Sequence, residues 1–585
     1  MHYTLQIATF TLALFTTAWI LGRGALVLLG VGEHDQERTA AGLLAIPTGI
    51  GMQVVTLFLL ATQDLLNATG IGIAVAIEAL VFGWVTLRAQ QRRGESPGRS
   101  MAAFVQRNAL LLFCTAVIAI PIFLRALGAP LEWDEISYHL PYVREYIDHG
   151  GLTVAGHLRF PLHSHNYQLL YAAALIFSSE VAAHMVHAFS GALVALGTFF
   201  LGREFFGRLT GLIAAIMYLS VAGSMMDNAY VDLGLSLFVF YAFFAFAQWQ
   251  KSGNDGFLWL SAFLLAMAAG TKYQALSLLP LFGLMLLSQT RSPRRLLGYA
   301  LLIALFGSWW YLRNYMISGD PIHPLGGRIF GFWVWNEYDL DGVRDHLSRI
   351  NDSLPIYLYP ALLAPFLLRR NGEVYKTLAF LALGSLAFWL ATTRYLRYLI
   401  PIFPFLALLS LHALGTVAQR LAPAGWRWPA APATGPSLQL ALRIVPAFLL
   451  LAIVFAASRN ELKDACFSDA CIDRTLTEQT ATWRLRKEVP GFEELKLYQY
   501  GFENEIYYLG RPLGDWRGMY RYQSIWLFNQ DASPLMVHLL YLGRDSILVH
   551  KTRYPFYLVL EDPELGEYFE TLYENEQLVL LKVRE

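Results

Sequence analysis

Charge is scarce in this chain, and cysteine scarcer. Only 15% of its 585 residues are Asp, Glu, Lys or Arg, and 44 basic residues balance 44 acidic ones for a formal net charge of +0. That balance excludes the basic field a phosphate backbone requires, so no nucleic-acid partner is expected. Three cysteines are too few for a disulfide framework. Cys466 and Cys471 lie close together in a polar stretch and can form one local bridge if that stretch faces an oxidising compartment, whereas Cys114 sits in an apolar run. No glycine-rich phosphate loop is present, so no nucleotide cofactor is expected. A repeat of solenoid length is also lacking, which weakens a repeat-built transporter. The first apolar run has neither a basic start nor a small-residue cleavage site, and it reads as a retained span.

What the chain has in abundance is apolar length. With 56% hydrophobic residues and a mean hydropathy of +0.42, it is a membrane protein by composition. Runs near the roughly 20 residues needed to cross a bilayer recur along three quarters of it. We read about 14 spans, near 4–30, 41–64, 68–87, 108–127, 181–201, 209–224, 230–248, 257–270, 274–289, 296–315, 354–369, 376–392, 396–415 and 442–457. From about 459 the long runs stop. Short β-rich segments at 546–550, 556–560 and 578–583 are separated by turn residues, which predicts a small α/β domain outside the membrane. The expected division is three additional N-terminal spans and a cytoplasmic loop (1–107), a membrane core (108–457) with an outer loop (128–180), and a C-terminal domain (458–585).

Short loops rich in Arg and Lys mark the cytoplasmic side. They run from Arg88 to Arg107, Arg203 to Arg208, Arg291 to Arg295, Arg369 to Lys376 and Arg420 to Arg443. Alternation then places the Asp134 loop, the Asp227 loop, Lys272, the 316–353 loop, Arg394 and the tail together on the outer face. The acidic loop at 32–38, assigned to the cytoplasm, disagrees with the rule.

Several polar residues on that face stand out. Asp134 and Glu135 follow an apolar run, where carboxylates are costly unless they line a polar cavity. Their bland alternative is capping of the helix that follows. In that helix Tyr138, Tyr142 and Tyr146 recur every four residues and share a face, as interfacial anchors do, and Gly150-Gly151 supplies the stop. His163 and His165 form a His-x-His that lacks a second cluster at zinc spacing, so contact with substrate or a lipid headgroup is the better reading. Asp227 and Asp232 share a tight loop, where two acids can hold a divalent cation, orient a sugar or simply cap a helix. Lys272, Arg313, Arg394 and Arg397 bring cations to the same side. Snorkelling explains one or two of these, and an anionic ligand explains several.

Taken in order, Trp133-Asp134-Glu135 through Tyr138-His139-Leu140-Pro141, Tyr230-Val231-Asp232-Leu233, Gly270-Thr271-Lys272-Tyr273, Trp310-Tyr311-Leu312-Arg313-Asn314 and Arg394-Tyr395-Leu396-Arg397-Tyr398 form a recognisable series. The chain resembles the polyprenyl-phosphate-dependent glycosyltransferases of the C-type fold, among them the bacterial aminoarabinose transferases of lipid A and the protein O-mannosyltransferases. In the tail, Tyr507-Tyr508-Leu509-Gly510-Arg511-Pro512 is similar to a segment of such enzymes. The resemblance implies an all-α polytopic membrane enzyme with a small extracytoplasmic α/β domain, in a bacterial inner membrane. It implies a polyprenyl-phosphate sugar as donor and a lipid, glycan or protein as acceptor, with inversion at the anomeric carbon. Asp134 would be the catalytic carboxylate, with Glu135 assisting or replacing it. Lys272, Arg313, Arg394 and Arg397 would grip the donor phosphate, and Tyr138, His139, His163, His165 and Tyr395 would contact substrate. Asp232 or Asp227 would bind a divalent metal or position the sugar. The competing reading is a transporter or lipid flippase that uses intramembrane acids.

Overall fold

In a bilayer every backbone polar group must be paired within its own segment, so the apolar runs become helices. The computed structural model describes residues 2–93, 120–421, 462–514, 528, 531–553 and 559–584. The expected spans 108–127 and 442–457, the strand at 556–560 and Cys114 lie wholly or mostly outside the described residues, as do much of the Arg88–Arg107 and Arg420–Arg443 loops. The N-terminal helices are α1 (His2–Leu28), α2 (Arg38–Ala61) and α3 (Ala68–Arg92). Next come α4 (Leu140–His149), α5 (Asn166–Phe177), α6 (Glu180–Phe205), α7 (Arg208–Ala222), α8 (Asp232–Ser252) and α9 (Asp255–Ala269). They are followed by α10 (Leu278–Gln289), α11 (Pro293–Gly307), α12 (Trp309–Ser318), α13 (Glu337–Arg349), α14 (Glu373–Ala391) and α15 (Phe403–Leu421).

Among the described residues, eight helices are long and apolar enough to cross a membrane, or nine if α11 and α12, bent by 57° at their junction, count as one span. The chain is a multi-pass membrane protein. Helix α8 is buried along all of its apolar window and forms the centre. On peripheral α3, by contrast, Ile73, Ile77, Leu80 and Trp84 form an exposed apolar stripe at helical spacing, as a lipid-facing helix requires.

Three expectations are corrected. The stretch 128–180 holds a second helix, α5, whose 12 residues are too few to signal a span and which is mostly buried. Tyr142 and Tyr146 are not interfacial anchors but fully buried, because α4 packs between α5 and the tail rather than on lipid. The apolar run at 354–369 forms a tight 3₁₀ helix, Ile356–Arg370, interrupted by Pro360 and Pro365. Proline donates no backbone hydrogen bond. On the facing α15, Ser410 repairs part of the ladder, accepting from the Ala361 N–H (3.1 Å) and donating to the Leu358 carbonyl (3.0 Å).

The three N-terminal helices join the 128–180 loop directly. Leu66 donates to the Gly150 carbonyl (2.7 Å), and Leu152 to that of Ala61 (3.0 Å). Gly150 closes α4 at φ 67°, a conformation that glycine adopts without penalty.

The tail is the expected α/β unit. Strands β1 (Leu497–Tyr500), β2 (Ser546–His550), β3 (Phe569–Glu574) and β4 (Leu578–Val583) form one sheet in the order β1-β2-β4-β3. β1 runs parallel to β2, and the other pairs are antiparallel. Cys466 and Cys471 are bridged, and the Cys466 N–H donates to the Leu127 carbonyl (3.0 Å) at the entrance to the Asp134 loop. The Tyr507–Arg511 segment docks on the same loop. Tyr508 donates to the Pro130 carbonyl (2.5 Å), Arg144 to the Tyr507 hydroxyl (2.5 Å), and Arg511 to Glu145 (2.8 Å). Tyr508→Phe leaves the Pro130 carbonyl without this donor and is expected to cost about 1 kcal/mol, read as a lower thermal midpoint and faster proteolysis of the tail.

Candidate active site

Asp134 enters a short π-helical turn, Glu135–His139, that runs straight into α4. Neighbouring residues on a helical turn point in different directions, and here the two acids part. Glu135 is fully buried. Its carboxylate meets His184 of α6 and accepts from the Ala229 N–H (3.0 Å), tying α6 to the turn before α8. Asp134 turns instead towards Arg397, with Oδ2 2.7 Å from Nη1.

Arg397 in turn lies 4.0 Å from Asp232, the first residue of α8, and Asp232 receives the Lys272 ammonium at 2.7 Å. The result is a chain of four alternating charges, Asp134–Arg397–Asp232–Lys272, in which every member is at most 16% exposed. Aromatic faces enclose the cations. Arg397 sits over Tyr230 (5.0 Å) and Tyr395 (4.9 Å), and Lys272 over Tyr398 (4.8 Å). Tyr395 therefore contacts Arg397 rather than the cavity wall. The hydroxyl of Tyr138 hydrogen-bonds Asp134, and burial together with that carboxylate holds the phenol well above its ordinary pKa, so it remains a donor.

The break that presents Lys272 is built locally. Helix α9 stops at Gly270, and a 3₁₀ turn, Tyr273–Ser277, leads into α10. A side chain at Gly270 would collide with Asn166, whose amide lies 2.3 Å from where a Cβ would stand. Asn166 fastens this corner by donating to the carbonyls of Gly270 (backbone, 3.0 Å) and Met267 (side chain, 3.1 Å) and accepting from Trp310 (2.7 Å). Asn314 buttresses Tyr273 (2.6 Å), which stacks on His163 at 4.2 Å.

Beside the charge chain opens a cavity of about 380 Å³. Tyr138, His139, His163, His165, Lys272 and Arg397 line its polar part, and residues such as Leu235, Leu340, Leu347 and Phe388 its apolar part. A cavity that is charged at one end and greasy along its length suits an amphipathic ligand with an anionic head.

Other expected residues stand elsewhere. Arg313 faces the 128–180 loop, donating to the Tyr146 hydroxyl (3.3 Å) and the His163 carbonyl (2.9 Å), and does not line the cavity. The Arg394 side chain is exposed, and the residue is held through its backbone in a bridge with Asn351, its carbonyl accepting from the Asp352 N–H (2.8 Å). Asp227 pairs with Arg125 (2.9 Å) and not with Asp232. Among the described residues no three of His, Cys, Asp and Glu converge as metal ligands. A divalent cation at Asp232 would have to compete with Lys272 and Arg397 for the carboxylate oxygens. Sequence reasoning missed Gln168, which bonds His139 (2.9 Å), because a lone glutamine in an apolar run carries no signal.

Burial pushes three histidines of the 128–180 loop down, His139 to about 3 and His157 and His163 to about 4, so all three are neutral at pH 7. Their folded-state pKa lies below the unfolded value near 6.5. The stability they permit is therefore complete above that value and is lost as pH falls towards 4. Each contributes up to roughly 1.4 kcal/mol per pH unit in that window. A thermal midpoint that drops between pH 7 and pH 5, with a shallower drop in His157→Asn, is the expected result.

A family model described as "Domain of unknown function (DUF8201)" matches residues 5–337, and one described as SF2091/S2213 matches 472–582. Two Shigella flexneri proteins described as uncharacterized are similar to parts of the chain. SF2092/S2214 is 33% identical over 132 residues, 20% of this chain and 72% of that protein. SF2093/S2215 is 32% identical over 133 residues, 22% of this chain and 66% of that protein. Among solved structures, ArnT from Cupriavidus metallidurans in the apo state superposes with a TM-score of 0.52 at 14% identity, covering 81% of this chain and 98% of that one. The same protein bound to undecaprenyl phosphate gives 0.50 at the same identity and coverage. These likenesses show the fold, which is that of the C-type glycosyltransferases.

Proposed function

We propose that this chain, which belongs to the family described as Domain of unknown function (DUF8201), is an integral membrane glycosyltransferase that uses a polyprenyl-phosphate-linked sugar. The observation that carries the reading is the Asp134–Arg397–Asp232–Lys272 chain at the polar end of a half-apolar cavity. Arg397 and Lys272 receive the donor phosphate, Arg397 through its planar fork and Lys272 as a point charge. When the phosphate draws Arg397 away, the Asp134 carboxylate is left to accept a proton from the acceptor hydroxyl. The acceptor oxygen then attacks the anomeric carbon. The bond from that carbon to the phosphate oxygen breaks, the electron pair leaves with the phosphate, and the two cations stabilise the charge. Direct displacement inverts the anomeric centre.

In this reading a hexosyl or pentosyl group passes to a lipid, glycan or protein on the extracytoplasmic side of a bacterial inner membrane. The 458–585 domain faces the same side, and residues 1–107 are a packing module. Asp232 positions Lys272, and Glu135 holds the loop in place. The fold of ArnT, a protein solved with undecaprenyl phosphate, supports a lipid phosphate as ligand.

The test is to incubate purified protein in lipid with radiolabelled polyprenyl-phosphate sugars, beside Lys272→Met. Label leaving the donor with the parent protein, and roughly tenfold weaker donor affinity in the variant from the lost charge-assisted contact, supports the reading. If no donor is consumed but a labelled lipid or solute crosses sealed vesicles, a transporter takes its place.

A further inference from the structure

The charges around the cavity discriminate between sugars. Its lining carries two cations, Lys272 and Arg397, and no carboxylate among the described residues. The nearest acids, Asp134 and Asp232, are already paired with those cations. The rest of the polar wall is uncharged, because burial keeps His139 and His163 neutral.

One side of the cavity is aromatic. Phe160 stacks on Trp335 with ring centroids 5.7 Å apart and an interplanar angle of 25°, and Tyr138 meets Phe160 edge-on at 5.1 Å. Adjoining Tyr138 is His139, bonded to the nitrogen end of the Gln168 amide. Among the described residues the oxygen end of Gln168 and the hydroxyl of Ser164 are buried without a partner, and both residues line the cavity. Buried polar atoms are rarely left so, and a bound group bearing hydroxyls would satisfy them.

Resting on the donor reading above, we propose that the group carried on the donor phosphate is an uncharged, polyhydroxylated sugar of the neutral hexose class, seated against Phe160 and Trp335 and hydrogen-bonded by Gln168 and Ser164. An ammonium-bearing sugar would bring a third cation beside Lys272 and Arg397, and the one acid that the phosphate frees, Asp134, must take the acceptor's proton rather than pair with it; an unpaired buried charge is strongly disfavoured. A carboxylate-bearing sugar would compete with the phosphate for Lys272 and Arg397. A neutral ring leaves both cations to the phosphate and offers hydroxyls of either hydrogen-bonding sense.

The experiment measures binding of four ligand types to the purified full chain in lipid: bare polyprenyl phosphate, and the same lipid phosphate carrying neutral hexoses, a 4-amino pentose or a hexuronate. The expected result is that bare lipid binds and that at least one neutral hexose binds tenfold tighter or better, whereas the amino and acid sugars give no gain. Gln168→Leu and Phe160→Leu, each checked by its melting curve, should bring the hexose-to-bare affinity ratio towards one. Tighter binding of the amino or acid sugar than of every neutral one overturns the inference, as does a ratio unchanged in both variants. The donor reading survives either result, because bare lipid still binds. If no form of the lipid phosphate binds, the donor reading itself fails and takes this inference with it.

Discussion

Asp134→Asn is expected to lower the transfer rate roughly a thousandfold, the scale of a lost general base, while the protein still folds. The change is isosteric and removes one charge. Burial alone would raise the Asp134 pKa, but Arg397 outweighs it, helped by His139 and Lys272, and holds the carboxyl below its usual range. With Arg397 beside it the group is therefore ionised and weakly basic. A donor phosphate that takes Arg397 removes the main cause of that depression, so basicity rises when substrate is in place. The variant should lose kcat while its KM for donor stays level or falls, because Arg397 no longer has to leave Asp134. A structural role alone would instead lower the folded yield and leave kcat per folded molecule intact. The sign with pH is also fixed. A depressed folded-state pKa contributes stability above the ordinary carboxylate value of about 3.9, and that stability is lost as pH falls through the folded value. The Asn variant should lack this acid-sensitive component.

Much of this site was legible because charge is rare. Asp134, Asp232, Lys272 and Arg397 each stand at the end of an apolar run, where a charge needs a reason, and the fold brings those four into one chain. The same logic misplaced their neighbours. Glu135 adjoins Asp134 in sequence, but the π-helical turn sends it inward to His184, and sequence adjacency says nothing of direction. Arg313 and Arg394 carry the same charge as Arg397, yet one holds the 128–180 loop and the other faces solvent. What separates the three is where the fold puts them, Arg313 on α12, Arg394 just before the 3₁₀ turn Leu396–Ile402 and Arg397 within it, which composition does not record. Helix α5 was hidden for another reason: a span is recognised by length, and this helix, though mostly buried, ends after 12 residues. The tail sheet was partly visible in β2 and β4. β1 has only four residues, all buried, and its signature is too short to distinguish from a loop.

Arg397→Met should be the most damaging single change in the protein, because it breaks binding and stability together. The guanidinium stands between two carboxylates, 2.7 Å from Asp134 and 4.0 Å from Asp232, and three tyrosine rings surround it. Without it Asp134 loses its ion-pair partner, and Lys272, already paired with Asp232, is the cation left near both acids. Breaking a buried pair by removing one partner costs about 3–5 kcal/mol, enough to consume much of the stability of an average domain. Arg397→Lys should restore part of the stability, since one positive charge returns, but little of the transfer, since an ammonium cannot span both acids or grip a phosphate through two parallel bonds. The decisive comparison is Arg397→Met combined with Asp134→Asn. If the loss of stability comes from the orphaned carboxylate, the double variant should melt well above Arg397→Met alone while remaining inactive, a non-additive result. If the two losses simply add, the tyrosine cage rather than the ion pair holds this corner. Arg397 would then matter for its contacts with the rings, and Asp134 would stand free of it.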